Sequence, residues 1–426
     1  MPDRSVIAVV YDRGSATALD IVDGLAPLGT PVLAMWPSPD TDSVRPLVED
    51  LAPVVVLDPG DLDASAELLR AHRPDAIVTF SESRLSDTAE LAVRLGLPYH
   101  APETVRLLRD KYAQRRRLRE RGVDSVRSHR LEQPGDWAAA LAAVGLPAVL
   151  KPSSGEGSRS THLVEDAEHG AALAGELLSG TDREADLVLE EYLRGRDCGP
   201  YGDYVSVESA VSGGRVSHWA VTGKFPLAPP FRETGQIRPA VLPEPEHAAT
   251  LRLVTDALHA LGVTTGITHT EVKLTPAGPR IIEVNGRLGG WQVQLARLAG
   301  DPHPVTLAGR LALGEQVPDA PEGGERVVFT RSFAAPVEGG TYAGVQGLRA
   351  TLALDGVESV VCPFSPGDPV PAGVQSGEIG WVEGAVPDHD TMFQVVEEVL
   401  GLLSFTVEVP GRQQRTVSGS VLAPAS

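Results

Sequence analysis

Two strand-like runs joined by a turn make up the stretch His269-Thr270-Glu271-Val272-Lys273-Leu274, Thr275-Pro276-Ala277-Gly278-Pro279 and Arg280-Ile281-Ile282-Glu283-Val284-Asn285-Gly286-Arg287. Apolar residues alternate with polar ones in the first run, and the second run is rich in β-branched residues, so the pattern predicts a β-hairpin. Pairing across the turn brings Glu271 and Glu283 together, with the amide of Asn285 one pleat further along the same face.

Two neighbouring carboxylates repel each other unless a cation or a proton lies between them. Oxygen donors such as Glu271, Glu283 and Asn285 suit Mg²⁺, with Mn²⁺ as an alternative ion, and Mg²⁺ is commonly shared with substrate phosphates. The other interpretation is an exposed hairpin whose acids are solvated. On this stretch alone the two interpretations are equally open, so the rest of the chain has to decide between them.

The composition is that of a soluble globular protein of roughly two to four domains. The 426 residues are 42% hydrophobic, and a formal charge of −20 argues against nucleic acid or an anionic membrane as partner. Cys198 and Cys362 are the only cysteines, which suits a reducing compartment. The first apolar run, Val6 to Val10, is too short for a signal peptide, and we expect a cytoplasmic protein without membrane segments.

Short apolar runs alternate with amphipathic segments from Val6 to His100. This alternation predicts an α/β domain with a parallel sheet covered by helices, a small Rossmann-like unit. Its first turn, Tyr11-Asp12-Arg13-Gly14-Ser15, lacks the three-glycine fingerprint, which disfavours NAD binding. The next segment, Thr104 to Gly122, predicts a single helix with one buried stripe and arginines on the remaining surface.

A possible phosphate site follows the predicted buried strand that ends at Lys151. The small-residue loop Ser153 to Ser160 comes next and can present backbone N–H groups to phosphate oxygens, while the lysine supplies a point charge. A plain hairpin tip is the alternative for this loop. Further on, the connection from Phe225 to Pro245 is longer than a plain loop, so we expect it to line or cover a site.

Four features occur in one order along the chain: Lys111 on a helix, Lys151 before a Gly/Ser loop, the run Glu190-Glu191-Tyr192-Leu193, and the acidic hairpin. This order resembles the ATP-grasp superfamily over about Lys111 to Leu313. The resemblance implies an ATP-grasp fold that is α/β overall and α+β in its ATP-binding lobes. The implied domains are a Rossmann-like domain (1–103), a helical linker with the small lobe (104–190), a large lobe with the metal site (191–313) and a strand-rich domain (314–426).

The resemblance also implies ligands for ATP and Mg²⁺. The metal ligands would be Glu271, Glu283 and Asn285. The ATP-binding residues would hold phosphates, adenine and ribose, and they are Lys111, Lys151, Ser153, Ser154, Gly157, Ser158, Glu190, Glu191, Tyr192, Leu193 and Asp197.

Within the superfamily the chain is most similar to L-amino acid ligases, on His269-Thr270-Glu271, Arg232-Glu233-Thr234-Gly235, and Arg287 followed by Trp291. The resemblance implies that Arg287 holds an acyl phosphate and an oxyanion, and that Trp291 limits a substrate pocket. His269 replaces the oxyanion arginine of D-alanine–D-alanine ligases, which argues against cell-wall chemistry. The implied catalytic residues are Arg287, Lys151 and His269, and the implied substrate-binding residues are Glu208, Arg232, Glu233, Gly235, Gly289, Gly290 and Trp291.

The predicted function is ATP-dependent amide formation between two amino acids through an acyl phosphate. Its partners are the small-molecule substrates, and a homodimer is left open. The alternatives are an ATP-grasp ligase with another acid or amine, a biotin-carboxylase-like enzyme, or a nucleotide-binding regulator without turnover. Structural roles also stay open: a surface ion pair for Arg287, core packing for Trp291, a satisfied histidine at His269 and a solvated acid at Glu208.

Overall fold

The computed structural model describes residues 4–180, 183–316, 326–411 and 415–418. The α-helices in these residues are α1 (Ala18–Leu25), α2 (Pro39–Val48), α3 (Leu62–Arg70), α4 (Leu85–Leu95), α5 (Pro102–Arg109), α6 (Lys111–Glu120), α7 (Trp137–Val144), α8 (Ala167–Ser179), α9 (Glu244–Leu261), α10 (Gln292–Ala299), α11 (Pro304–Ala312), α12 (Leu348–Leu352) and α13 (His389–Leu402). None of the helices in the described ranges is long and apolar enough to cross a membrane.

The strands of the same ranges are β1 (Ser5–Tyr11), β2 (Gly29–Met35), β3 (Val54–Val56), β4 (Ala76–Val78), β5 (Ser128–Leu131), β6 (Ala148–Pro152), β7 (His162–Val164), β8 (Leu187–Glu191), β9 (Tyr204–Ser212), β10 (Arg215–Lys224), β11 (Gly235–Arg238), β12 (Thr265–Thr275), β13 (Gly278–Asn285), β14 (Val327–Ala334), β15 (Gly340–Gln346), β16 (Val357–Val361), β17 (Pro369–Val370), β18 (Glu378–Val386), β19 (Ser404–Glu408) and β20 (Arg415–Ser418).

The first sheet is the parallel one that the amino-terminal pattern predicts. Its strand order is β3-β2-β1-β4, with β1 paired in parallel to both β2 and β4. The turn after β1 packs tightly on the end of β4, because a Cβ added to Gly14 would lie 2.2 Å from the carbonyl oxygen of Phe80. Ser15 donates its backbone N–H to the same oxygen at 2.9 Å. This contact fixes the path of the turn that carries Arg13.

The single helix predicted from Thr104 to Gly122 is wrong, because Asp110 divides the segment into α5 and α6. Asp110 adopts extended backbone angles, and its carboxylate accepts a hydrogen bond from the backbone N–H of Ala113 at 2.9 Å. It is thus the N-cap of α6. The break places Lys111 in the first turn of α6, where its backbone N–H donates to the carbonyl of Ser153 at 2.8 Å.

Two further sheets build the walls of the central cavity. A four-stranded sheet, β5-β8-β6-β7, packs against α7 and α8 around a core that includes Leu150 and Leu189. An eight-stranded sheet has the order β13-β12-β9-β10-β11-β14-β18-β16. Its strands come from both sides of the boundary predicted at residues 313 and 314, and the domain limits stay predictions.

The carboxy-terminal strands share a core with the large sheet. A fourth sheet, β17-β15-β19-β20, and helix α13 pack around buried aromatic rings, with the centroids of Phe333 and Phe405 5.0 Å apart. A core of this size holds β18 in register with β14, so the residues that lead into β18 have a defined position beside the cavity.

Candidate active site

One cavity of about 460 Å³ lies between the four-stranded sheet, the large sheet and the turn after β1. Most of the residues predicted from the sequence line it: Lys111, Lys151, Ser154, Gly157, Ser158, Glu190, Glu191, Tyr192, Leu193, Glu233, His269, Glu271, Glu283, Asn285, Arg287, Gly290 and Trp291. The connection from Phe225 to Pro245 contains β11 and contributes Leu227, Phe231, Glu233 and Gln236 to the lining.

Three predicted residues do not line the cavity. Asp197 accepts a hydrogen bond from the backbone N–H of Gly199 at 2.8 Å and borders a neighbouring cavity of about 210 Å³. Arg232 donates to the carbonyl of Pro229 at 2.9 Å and to that of Ala335. Ser153 is buried beneath the loop that it begins. The structure therefore does not bring these three side chains to the cavity surface.

Three others lie behind the lining. A Cβ on Gly235 would lie 2.1 Å from the carbonyl oxygen of Thr330, and one on Gly289 would lie 2.3 Å from Nδ1 of His269. These glycines allow β11 to approach β14, and the backbone to approach the imidazole. Glu208 is fully buried on β9, so the interpretation of it as a solvated hairpin acid is wrong.

The acidic pair forms as the hairpin pattern predicts. Glu271 lies directly opposite Glu283 in the β12–β13 ladder, and His269 lies opposite Asn285. The turn is tighter than the predicted Thr275 to Pro279, since Thr275 already pairs with Gly278. A bulge follows Glu271. The two carboxylates thus project into one cavity from neighbouring strands.

Each carboxylate of the pair has a cationic neighbour. Nζ of Lys111 lies 3.2 Å from Oε1 of Glu283, and Nε2 of His269 lies 3.5 Å from Oε1 of Glu271. No group of three His, Cys, Asp or Glu side chains that could hold a metal ion occurs in the ranges that the structure describes. The set Glu271, Glu283 and Asn285 supplies oxygen donors only, which fits Mg²⁺ that retains water and shares phosphate oxygens.

His269 lies between two acids. Its Nδ1 is 2.5 Å from Oε1 of Glu208, its partner on β9, and its other nitrogen faces Glu271. Burial lowers the pKa of His269, but the two carboxylates outweigh burial and raise the pKa to about 9. The two carboxylates therefore favour the positively charged form of His269, and Glu208 positions its ring.

A buried charged cluster joins α6 to the four-stranded sheet. Oε1 and Oε2 of Glu190 each accept a hydrogen bond from Arg115 at 3.0 Å, and Nζ of Lys151 lies 3.0 Å from Oε2. Arg115 also donates to the carbonyls of Ile281 and Ile282 on β13. Burial raises the pKa of Glu190, but Arg115 and Lys151 outweigh burial and lower it to about 2. The cluster ties Lys151, strand β8 and the β12–β13 hairpin together.

Arg287 is held by acids from two distant segments. Its Nε lies 3.2 Å from Oε2 of Glu82, in the amino-terminal α/β unit, and one terminal nitrogen donates to Glu156 at 2.8 Å. Its side chain is only 8% exposed, so it is not part of a surface ion pair. Burial alone lowers the pKa of Arg287, but Glu82 and Glu156 outweigh burial and raise it. The guanidinium is thus fixed in the cavity wall.

The loop after β6 covers one side of the cavity. Nζ of Lys111 donates to the carbonyl of Gly155 at 2.7 Å, and Gly157 and Ser158 have φ angles of 66° and 53°. The carbonyl of Gly157 accepts a hydrogen bond from the backbone N–H of Ser376 at 2.7 Å. The loop therefore bridges α6 and the segment before β18.

Aromatic rings form two walls. The ring centroid of Tyr192, just after the end of β8, lies 6.3 Å from that of Phe231. Trp291 precedes α10 in a left-handed conformation, with φ 68°, and its ring meets that of Trp381 edge to face at 5.0 Å. Trp291 is half-buried and lines the cavity, so its contacts are not those of plain core packing.

Several lining or supporting residues carry no sequence signal for a site. Arg115 looks like one of many arginines on a solvated helix face, and Lys224 looks like the end of an ordinary strand. Lys224 is 1% exposed and donates to Glu233 at 2.9 Å. Glu82 and Glu156 lie far from Arg287 in the sequence. Only the burial and pairing of these side chains reveal them.

The architecture is shared with enzymes of solved structure. The L-amino acid ligase from Bacillus licheniformis matches 96% of this chain and 100% of its own, with a TM-score of 0.77 and 20% identity. The chain has an ATP-grasp fold. A biotin carboxylase domain from Hydrogenobacter thermophilus, solved with MgADP and bicarbonate, matches 96% of this chain and 91% of its own, with a TM-score of 0.67 and 17% identity.

Several sequence relatives of this chain are named as a ligase or a synthase. Carnosine synthase 1 of Gallus gallus is 32% identical over 310 residues, covering 66% of this chain and 33% of its own. Alanine–anticapsin ligase of Bacillus subtilis is 30% identical over 234 residues, covering 51% of this chain and 49% of its own. This chain therefore matches half or less of these two relatives' lengths. No protein-family model matches it.

These findings confirm the predicted resemblance to L-amino acid ligases and the predicted class, an ATP-grasp ligase. The mixed α/β class with an ATP-grasp fold is confirmed as well. The role of each site residue stays a prediction.

Replacing Glu190 tests the buried cluster. Its pKa falls from an ordinary value of 4.5 to about 2, so its ionised form stabilises the fold fully above pH 4.5, and this stabilisation is lost as the pH falls towards 2. We expect Glu190→Gln to be less stable by about 3 kcal/mol at neutral pH, because Arg115 loses its partner. The gap to the unmodified protein should shrink as the pH falls below 4.5.

Urea unfolding at neutral pH and at several acidic pH values measures this gap. The matched control is Glu168→Gln, which removes an exposed carboxylate of helix α8 in the same part of the chain. A gap that stays constant across the acidic range would contradict the assigned charge cluster.

Neighbouring glycines test the position of His269. Gly289→Ala places a methyl group against the imidazole, whereas Gly290 has no atom within 4 Å of an added Cβ. We expect Gly289→Ala to cost about 1–3 kcal/mol of stability and to shift the NMR signals of the His269 ring. Gly290→Ala should leave both unchanged. Equal unfolding midpoints for the two variants, measured by thermal denaturation, would show that the backbone does not hold His269 in place.

Proposed function

We propose that the protein is an ATP-dependent carboxylate–amine ligase that joins two amino acids and releases ADP and phosphate. The observation that carries the proposal is the convergence of Lys111, Lys151, Arg287 and the paired acids Glu271 and Glu283 on one cavity. Phosphoryl transfer needs cations around the phosphates and an in-line arrangement rather than a protein nucleophile. Neither free cysteine lines this cavity, and none is needed.

The nucleotide half of the site follows from the side chains. Tyr192, Leu193 and Phe231 supply an apolar surface for adenine beside the polar groups of the hinge. Lys111 and Lys151 neutralise phosphate oxygens, and the loop from Ser153 to Ser160 covers them with backbone N–H groups. The carboxylate of Asp197 accepts a hydrogen bond from the backbone N–H of Gly199. Its predicted role at the ribose therefore requires the segment after β8 to move when nucleotide binds.

The proposed reaction has two steps. A substrate carboxylate oxygen attacks the γ-phosphorus of ATP and ADP leaves, which gives an acyl phosphate. The nitrogen of a neutral amine then forms the C–N bond while the C–O bond to phosphate breaks, so that phosphate leaves and the nitrogen releases one proton. Mg²⁺ bound at Glu271, Glu283 and Asn285 would neutralise charge on the transferred phosphoryl group.

Arg287 and His269 supply the remaining positive charge. Both are buried cations at the cavity wall, and both are oriented by acids behind or beside them. A preorganised donor of this kind is worth about 3 kcal/mol where charge develops on oxygen. The two proposed steps build negative charge on oxygen, so these cations act in both.

Amino acids are the proposed substrates because the relatives named for an activity include an alanine ligase and an L-amino acid ligase. The cytoplasm is the proposed location, in keeping with two unpaired cysteines. Trp291 and Glu233 also line the cavity, and we propose that they contribute to substrate specificity.

The function is tested by ADP release from Mg-ATP with amino acids supplied singly and in all pairs. We expect release only with particular pairs, together with the mass of the matching dipeptide. Pairs in which the donor lacks a free carboxylate are the control. If ADP is released with other acids or amines but with no amino-acid pair, the protein is a ligase with substrates other than those proposed.

Removal of one proposed metal ligand should abolish that activity. We expect no turnover from Glu283→Ala, because Glu271 alone cannot complete the oxygen set and Lys111 loses its partner. The control, Glu358→Ala, removes a half-exposed acid on β16 and should keep full activity. Normal turnover in Glu283→Ala would contradict the proposal that Glu283 is a ligand of Mg²⁺.

Arg287→Ala should act mainly on the chemical step. We expect kcat to fall by about 10²–10³-fold while ATP affinity changes only a few fold, since the guanidinium faces the reacting groups. The matched control is Arg310→Ala, whose side chain is 52% exposed on α11. A large loss of nucleotide affinity, measured by calorimetry, would contradict the role given to Arg287.

A further inference from the structure

One end of the cavity carries two charged side chains that the proposed chemistry does not use. Arg13 belongs to the turn after β1, and Glu378 begins β18; both line the cavity. Within the part of the chain that the structure describes, neither side chain forms an ion pair or a side-chain hydrogen bond to another residue. Opposite charges that face one space without partners are complementary to a ligand that carries both charges.

A series of charge–charge interactions connects Glu378 and Arg13 to the acidic pair. The charge of Lys224 helps to lower the pKa of Glu271, and Nζ of Lys224 lies 2.9 Å from Glu233. Glu233 in turn raises the pKa of Glu378, and Arg13 lowers it. Lys224, Glu233, Glu378 and Arg13 are thus electrostatic neighbours on the lining of one cavity. We call the part lined by Glu378 and Arg13 the distal end.

Glu378 differs from the other acid nearby. Oε1 of Glu233 accepts hydrogen bonds from Lys224 at 2.9 Å and from the hydroxyl of Tyr204 at 3.2 Å, so its charge is already compensated. Burial and the charge of Glu233 raise the pKa of Glu378 to about 7. A bound cation would reverse this effect and hold the carboxylate ionised.

The distal end is built by fixed contacts. The hydroxyl of Ser376 accepts a hydrogen bond from the backbone N–H of Glu233 at 3.1 Å, which joins the segment before β18 to the segment before β11. Trp381 on β18 supports the ring of Trp291. The turn with Arg13 is anchored to β4 through Ser15 and Gly14. These contacts fix the backbone of the two segments that carry Glu378 and Arg13.

We propose that the distal end binds the amine substrate as an intact α-amino acid, with its amino group at Glu378 and its carboxylate at Arg13. This inference rests on the proposed ligase function. The carboxylate of the donor amino acid becomes the carbonyl group of the new amide, whereas the acceptor keeps its carboxylate in the product. The guanidinium of Arg13 lines the same cavity and is not used by the proposed phosphoryl transfer, so it suits the carboxylate of the acceptor.

Calorimetric titration of the full-length protein, with Mg²⁺ and a non-hydrolysable ATP analogue present, tests the proposal. The probes are the proteinogenic L-amino acids, and for each one that binds, its α-hydroxy acid and its amide. We expect Glu378→Gln to weaken amino-acid binding by about tenfold or more and to leave binding of the α-hydroxy acid unchanged. Arg13→Gln should weaken amino-acid binding and leave binding of the amide unchanged.

Matched controls are Glu398→Gln on α13 and Arg349→Gln on α12, both exposed and outside the cavity lining. Equal amino-acid affinity in the unmodified protein and in both test variants would overturn the proposal, as would binding of no amino acid. Should Glu378→Gln fail to fold, Arg13→Gln on its exposed turn decides through the comparison of amino acid with amide.

The result also separates this inference from the proposed function. Amino-acid binding that depends on Glu378 and Arg13, without any dipeptide product, would support the distal end and reject the ligase reaction. Dipeptide formation with an unchanged KM for the acceptor in both variants would support the ligase and reject the distal end as its amine site.

Discussion

The side-by-side placement of two carboxylates, Glu271 and Glu283, is the constraint on which the rest of the site depends. Strand pairing holds them together, and like charges so close need positive charge nearby. Lys111 comes from the start of α6, and His269 lies two residues earlier on the same strand as Glu271. The two acids thus stabilise Lys111 and His269 beside them. In the proposed reaction, the same positive charges would also neutralise phosphate oxygens.

The same charge logic explains how distant segments are joined. Arg115 and Lys151 meet Glu190 in a buried cluster, and the arginine continues to the backbone of β13. Arg287 bridges the amino-terminal unit and the covering loop through Glu82 and Glu156. Breaking such buried pairs is costly, so they hold the lobes in one arrangement. The proposed amino-acid site uses Arg13 and Glu378, whose charged groups do not take part in this network of ion pairs.

Local pattern predicted much of the fold and part of the site. Period-two alternation located the hairpin and its facing acids, and β-branched runs separated by helices indicated the parallel sheet. The continuous helical pattern across Asp110 hid a break, because an N-cap in mid-segment looks like one more polar residue on a solvated face. Glu208 looked solvated on its strand, since neither alternation nor spacing shows that β9 lies inside the large sheet, between β12 and β10.

The sequence by itself determined which side chains share a strand face, because the period of the pleat depends only on neighbouring residues. It therefore determined that Glu271 and Glu283 face each other once their hairpin closes. Only the tertiary structure decided that Glu82 meets Arg287 and that Arg13 and Glu378 face one cavity. Those contacts join segments hundreds of residues apart, and they depend on how whole sheets pack together, which no local periodicity records.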